Sequence, residues 1–161
     1  MMNILVTGAG GFVGTYLCRK LSKEHNVIGI VRRKNQKQAL EKKCTSNIYE
    51  VDLRKNYNLD ERIDIIIHSA AQSLNQGTPI NKYISDNIIA SQNLIDFAIR
   101  KKVRLFVYLS AISVFGKINS TRVDEKTPIV DPSPYGMSKY FSELLLNEKA
   151  DILPSVIFRM P

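Results

Sequence analysis

Tyr135 and Lys139 stand four residues apart in Tyr135-Gly136-Met137-Ser138-Lys139, a spacing that puts both on one face if the segment opens a helix. A phenol with a pKa of about 10 is a poor base at neutral pH, but an ammonium group and a cofactor beside it favour the phenolate and make it a usable acid or base. Such pairs are plentiful on helix surfaces, so this one gains meaning only from its surroundings. A second feature is the glycine cluster Thr7-Gly8-Ala9-Gly10-Gly11-Phe12-Val13-Gly14. Glycine permits positive φ and close approach to the backbone, and a helix start offers free N–H groups and the positive end of a dipole; together these suit a pyrophosphate. Three residues after Gly10 stands Val13, so the fit is not G-x-G-x-x-G but G-x-x-G-x-x-G through Gly8, Gly11 and Gly14. A tight strand-to-helix turn without a ligand would use the same glycines, yet their place after the first apolar run favours phosphate.

The next candidates extend such a site. Val31 is followed by Arg32 and Arg33, where an NAD site would carry an acid for the ribose hydroxyls. Arginine forks onto a ribose 2′-phosphate, so charge favours NADP over NAD; the alternative is a solvated basic loop, since Lys34 and Lys37 continue the run. Asp52, in Val51-Asp52-Leu53, could accept from an adenine amine or cap a turn. His68 ends an apolar run and, by itself, reads as a packed core histidine.

These residues need a scaffold, and the chain alternates strand and helix almost throughout. Apolar runs at 3–7, 27–31, 48–51, 63–68, 103–109 and 155–158 read as strands buried on both faces. Between them, helical spacing predicts a helix over 12–23 with Phe12, Val13, Tyr16, Leu17 and Leu21 as its apolar positions. Further helices are predicted over the lysine-rich 32–43, over 80–102, and over 138–149 with Leu144, Leu145 and Leu146 inward. Such alternation implies right-handed crossovers and an α/β, Rossmann-like, doubly wound parallel sheet of six strands with helices on both faces. The stretch 116–134 holds three of the six prolines and reads as a long loop.

Composition sets the outer limits. A chain of 161 residues fits one domain, 1–161, and its 44% apolar and 24% charged residues are ordinary for a globular protein. No apolar run approaches the roughly 20 residues of a membrane span, and the start lacks the pattern of a secretory signal, so the expectation is a cytoplasmic chain without a membrane partner. Cys18 and Cys44 lack metal-type spacing and read as reduced thiols, with no metal site expected. The net charge of +8 favours anionic partners, but the lysines are dispersed and no nucleic-acid motif is present, so nucleic acid is not expected.

Together, Thr7-Gly8-x-x-Gly11-x-x-Gly14, Asp52-Leu53, His68-Ser69-Ala70-Ala71, Asn87 and Tyr135-x-x-x-Lys139 resemble the extended short-chain dehydrogenase/reductase superfamily, specifically its NAD-dependent epimerase/dehydratase family. The resemblance covers essentially the whole chain, and its closing Phe158-Arg159-Met160-Pro161 looks like the family's Arg-x-Pro segment. It implies a nucleotide-sugar epimerase or 4-keto-sugar reductase with NADP or NAD as cofactor and a nucleotide sugar as substrate. Gly8, Gly11 and Gly14, with Phe12 and Val13 in the same turn, would hold the pyrophosphate, Arg32 and Arg33 the ribose end, and Asp52 and Leu53 the adenine. Ala70 and Ala71 would line the cofactor channel with His68 in its wall, and Asn87 would support the central helix. Tyr135 would be the acid/base, while Lys139 would bind the nicotinamide ribose and lower the tyrosine pKa. Glu125 and Glu143 also fit the family's pattern, and both are expected to cap or to lie on the surface. Family members often dimerise through two helices, and those from Ile80 and Ser138 are the candidates for a homodimer.

Three departures qualify the resemblance. The Ser or Thr that the family places three residues before its Val-Tyr-Gly valine is Ala111 here, so Ser110 or Ser113 takes over the donation to the substrate oxygen, Ser110 being favoured, or the donor is missing. Where dehydratases carry an acidic pair, this chain has Ile112 and Ser113, which disfavours dehydration. The family continues past Arg-x-Pro into a substrate lobe absent from this sequence, so the isolated chain is expected to bind dinucleotide but turn over little sugar. The alternative function is a non-catalytic dinucleotide-binding module that senses or scaffolds.

Overall fold

The computed structural model describes residues 1–42 and 47–161. Cys44 and the end of the predicted basic helix lie outside the described residues. In chain order the elements are β1 (Asn3–Thr7), α1 (Phe12–Leu21), β2 (Asn26–Val31), α2 (Lys34–Glu41), β3 (Asn47–Glu50), β4 (Ile65–His68), α3 (Ile80–Tyr83), a π-helical segment (Ile84–Ile89), α4 (Ala90–Arg100), β5 (Leu105–Ala111), a 3₁₀ turn (Ile112–Phe115), α5 (Pro134–Asn147) and β6 (Ser155–Met160).

The strands form one sheet in the order β3-β2-β1-β4-β5-β6, and every neighbouring pair is parallel. The chain winds outward from β1 in one direction and then from β4 in the other. Its order therefore reverses between these two strands, and a crevice opens at their carboxyl ends. Register brings the ends level: Thr7 lies opposite Ile30 on one side and His68 on the other. Successive side chains on a strand point to opposite faces, so β1 divides the core. Leu5 joins Ile28, Ile66 and Phe106 beneath Leu94, Ile95 and Ala98 of α4 and Leu146 of α5. Ile4 and Val6 join Val27 and Val31 beneath Cys18 of α1 and Leu40 of α2. Each fully buried aliphatic or aromatic side chain contributes about 1.5–3 kcal/mol, which makes these two layers the main source of stability.

Three helix readings need correction. On α1 the inward face carries Gly14 and Cys18, with Leu17 and Leu21 half-buried, while Phe12, Val13 and Tyr16 are exposed. Gly14 abuts the backbone of Gly8, and that contact rotates the first turn so that its large apolar side chains face out. Of the three leucines of α5 only Leu146 is fully buried, Leu145 is half-buried and Leu144 is exposed, because consecutive residues are 100° apart and cannot share a face. The helix predicted over 80–102 is interrupted by the π-helical turn around Asp86 and Asn87, a feature with no compositional signature.

Helix α5 begins earlier than the apolar pattern suggests. Pro134 occupies its first turn, and the Ser133 hydroxyl accepts from the Gly136 N–H at 3.2 Å, a side-chain cap that places Tyr135 inside the helix. Ahead of it, the long loop is closed at its neck. Gly116 has φ of +65°, Val130 donates to the Phe115 carbonyl at 2.9 Å, and Lys117 donates to the Val130 carbonyl at 2.7 Å. No helix among the described residues is long and apolar enough to cross a membrane.

Candidate active site

The glycine turn is built by close backbone packing. Gly8 has φ of +67°, and a Cβ there would lie 2.7 Å from the backbone of Ala70; at Gly14 it would lie 2.2 Å from the Gly8 carbonyl oxygen. The Gly11 N–H donates to that same carbonyl at 2.9 Å. The turn stays low, and a cleft of about 200 Å³ opens above it at the carboxyl ends of β1, β2 and β4. Of the residues expected at a dinucleotide site, Gly8, Gly11, Arg32, Asp52, Leu53, Ala70 and Ala71 line this cleft. Gly14 supports it from below. Phe12, Val13 and Arg33 are exposed and are not among its lining residues. Gly10, Gln36, Arg54, Gln72 and Asp86 also line it and were not singled out from sequence. Gly10 alone had a visible signal, its place in the cluster; a Cβ there would sit 3.0 Å from Gln36.

Charge at the far end of the cleft is internally matched. Arg54 forks onto Asp52 at 2.8 and 2.7 Å and also reaches Asp86 at 3.3 Å. Arg32 donates to the other Asp86 oxygen at 2.7 Å. The Arg54 hydrogen bonds hold the Asp52 carboxyl at about 2, well below the ordinary carboxylate range. Burial opposes ionisation of Asp86, but hydrogen bonds from Arg32 and Ser85 and the charges of Arg32 and Arg54 outweigh it and keep its pKa low. The next residue, Asn87, points the other way: its oxygen accepts from the Gln72 N–H at 2.7 Å and its amide donates to Ser138 Oγ at 2.8 Å. The π-helical turn thus serves the cleft with one residue and joins the Gln72 loop to α5 with the next.

Helix α5 carries the second half of the site. The Lys139 ammonium is buried, donates to the Leu109 carbonyl at 2.7 Å and lies 4.2 Å from the centre of the Tyr108 ring. Burial pulls its pKa down to about 7, while Glu143, one turn further on, works in the opposite direction. Tyr135 is half-buried with its ring 6.1 Å from that of Tyr83, and burial raises its phenol above the ordinary value. The Lys139 ammonium is directed at Leu109 in these contacts.

Glu143 corrects the surface expectation, being 2% exposed. It accepts from Ser110 Oγ at 2.5 Å and from the Arg159 guanidinium at 3.1 and 2.7 Å, and that guanidinium stacks 4.6 Å from the Phe115 ring centre. The Ser110 hydroxyl is thus engaged by Glu143. Ala111 follows it on the opposite face of β5, and Ser113 Oγ is buried without a hydrogen-bond partner. The Ser113 backbone packs against Gly136, where a Cβ would lie 2.1 Å from the Ser113 carbonyl oxygen. His68 is a core residue: it bonds Thr7 at 2.7 Å and Ser91 at 3.0 Å and stacks on Tyr108. Burial, then the Lys139 charge, lowers its pKa to about 3, so the ring stays neutral. Glu125 lies exposed in the long loop. Among the described residues no group of His, Cys, Asp or Glu is arranged to hold a metal.

The cleft fits a dinucleotide. Its floor excludes side chains at Gly8 and Gly14, its wall is the small-residue run Ser69-Ala70-Ala71, and its lining combines apolar Ile30, Val31 and Leu53 with hydrogen-bonding groups at one end. Comparison with known proteins agrees. The chain is 36% identical over 98% of its length to the Bacillus subtilis (strain 168) protein named uncharacterized UDP-glucose epimerase YtcB, and it spans 55% of that relative. It is 30% identical to a UDP-glucose 4-epimerase of Neisseria meningitidis serogroup A, with 94% of this chain and 50% of that protein covered. Among solved structures, UDP-glucuronic acid 4-epimerase from Bacillus cereus in complex with NAD superposes with a TM-score of 0.85 at 31% identity, covering 98% of this chain and 55% of the other. The chain thus spans about half the length of the curated relatives it matches. The model of the NAD dependent epimerase/dehydratase family matches residues 4–160, and with the parallel sheet and its glycine-floored cleft this shows that the chain belongs to that family.

Proposed function

We propose that this chain is the dinucleotide-binding part of a nucleotide-sugar epimerase or 4-keto-sugar reductase. The carrying observation is the convergence, at one end of a parallel sheet, of the glycine-floored cleft and the Tyr135–Lys139 face of α5. Gly8, Gly11, the backbone at Phe12 and Val13, Asp52, Leu53, Ala70 and Ala71 would hold the dinucleotide, which when bound supplies the hydride acceptor and donor. The NADP preference suggested by Arg32 and Arg33 is not part of this reading, because Asp86 already engages Arg32 and Arg33 lies outside the cleft lining.

Tyr135 would take the proton of a sugar hydroxyl as its carbon gives up hydride, and return it when the keto carbon is reduced. Its phenol starts high through burial, so a cation must come close for it to act as a base near neutrality. Lys139 is the candidate, and its buried ammonium, held by Leu109 and balanced by Glu143, would also bind the nicotinamide ribose. Asn87 fixes α5 to the Gln72 loop and so holds the two halves of the site in register. We assign donation to the sugar oxygen to Ser113, whose hydroxyl is unpartnered, in place of Ser110, whose hydroxyl serves Glu143. Homodimerisation is part of the proposal: Met137, Phe141 and Leu144 are exposed at helical spacing on α5 and form an apolar stripe suited to a second copy.

A second reading, a non-catalytic NAD-binding module, draws on Ala111 and on the raised Tyr135 phenol. The two are separated by titrating the chain with NAD⁺ and NADP⁺ calorimetrically, then following phenolate absorbance against pH with and without saturating NAD⁺, using Tyr135→Phe to isolate one tyrosine. Titration of Tyr135 moving toward neutrality on binding supports acid/base chemistry. Binding with Tyr135 still titrating above its ordinary value supports the module, and absence of binding to NAD⁺ and NADP⁺ alike refutes both.

A further inference from the structure

Asp86 lies where a helix crosses above the cleft, far in sequence from the two arginines it engages. Its side chain is 3% exposed, whereas those of Arg32 and Arg54 are 38% and 40% exposed at the rim. Arg32 comes from the end of β2, Arg54 follows β3, and Asp86 comes from the π-helical turn, so one carboxylate ties three separate elements across one end of the cleft. Asp52 completes the set by holding the other side of Arg54. All four residues line the cleft. Two guanidiniums face two carboxylates, so these four residues sum to no net charge although two of them are arginines.

We propose that Asp86 is a specificity-determining residue that selects NAD over NADP by occupying the arginines a 2′-phosphate would need. This inference rests on the dinucleotide reading above. A ribose with free hydroxyls brings no charge and can share the existing hydrogen-bond groups. A 2′-phosphate brings a charge of about −1.5 to −2 and would have to displace carboxylates from both guanidiniums while sitting beside them. Displacement is hard, because Asp86 is buried and a carboxylate that loses its cations there is left uncompensated. Neutralising Asp86 while keeping its shape removes the competitor: Arg32 becomes free and Arg54 keeps only Asp52.

Calorimetric titration of the chain and of Asp86→Asn with NAD⁺ and NADP⁺ tests this. The unaltered chain is expected to bind NAD⁺ at least tenfold more tightly than NADP⁺. In Asp86→Asn the ratio of NADP⁺ to NAD⁺ affinity is expected to rise about 10- to 100-fold, the range of one charge-assisted hydrogen bond to phosphate. Retained NAD⁺ binding also reports that the variant is folded. Equal or tighter NADP⁺ binding by the unaltered chain overturns the inference without need of the variant, as does an unchanged NADP⁺ to NAD⁺ ratio in Asp86→Asn. Failure of the unaltered chain to bind either dinucleotide overturns the dinucleotide reading itself, and this inference with it.

Discussion

Replacing Gly14 by alanine adds one methyl group where the structure leaves no space for it. The new Cβ would lie 2.2 Å from the Gly8 carbonyl oxygen and 2.7 Å from its carbon, against 3.4 Å for ordinary contact, so roughly 1.2 Å of separation must be found. Both sides are backbone and both are anchored. The Gly8 carbonyl accepts from Gly11, Ala9 donates to Ile30, and the Ala9 carbonyl accepts from Thr15 Oγ1, at 2.9, 3.0 and 2.9 Å. Overpacking of this kind costs about 1–3 kcal/mol, and loss of one of these hydrogen bonds adds about 1 kcal/mol. The expected destabilisation is therefore about 2–4 kcal/mol, a large part of an ordinary domain's margin and about 5–15 °C in Tm at this size. Gly11→Ala is the matched control: its φ of −81° suits any residue, and its Cβ would meet the Gly8 oxygen at 3.2 Å. That variant is expected to change stability by less than about 1 kcal/mol, since reduced freedom of the unfolded chain offsets the closer contact. Urea unfolding followed by circular dichroism measures both. If Gly14→Ala matches Gly11→Ala within about 0.5 kcal/mol, the close packing of Gly8 on Gly14 is not what shapes the turn.

Glu143→Gln is expected to cost about 3 kcal/mol in the same assay, since it leaves the Arg159 guanidinium without its buried carboxylate; Glu148→Gln, which breaks an exposed pair with Lys149, is expected to cost under about 1 kcal/mol. Lys139 gives a pH signature. Its folded pKa of about 7 lies below the 10.5 of an unperturbed lysine, so between these values the unfolded chain binds more protons and stability rises with pH; below about 7 the full penalty of the buried charge is present. Urea midpoints measured from pH 7 to pH 9 are expected to climb less in Lys139→Met than in the unaltered chain, and parallel slopes would refute this account.

How far the sequence could be read follows from the range of each signal. Ile4-Leu5-Val6 and Ile65-Ile66-Ile67 are continuous apolar runs, as strands covered on both faces must be, and with the glycines between β1 and α1 they made the sheet and its cleft legible. Tyr135 and Lys139 lie one turn apart, so their shared face was legible too. What escaped depends on residues distant in sequence. Asp86 meets Arg32 and Arg54 only after β2, β3 and the π-helical segment are packed together, and neither its burial nor the π-helical turn leaves a mark in composition. Glu143 looks like any helix glutamate until β6 brings Arg159 beside it. The choice between Ser110 and Ser113 rests on which hydroxyl Glu143 engages, a contact 33 residues away in sequence that family spacing did not resolve.

The neck of the long loop has a consequence for how the chain can change length. Because Gly116 and Val130 are bridged, residues 117–129 form an almost wholly exposed excursion that leaves the body and returns to the same point. Closing a loop costs free energy that grows only with the logarithm of its length, so doubling this excursion would cost about 0.6 kcal/mol. Added residues, or a cut in the chain between Lys117 and Ile129, would leave the bridged neck in place. The two pieces would stay joined through the β5–β6 ladder and the packing of α5, with Tyr135 still anchored by the Ser133 cap.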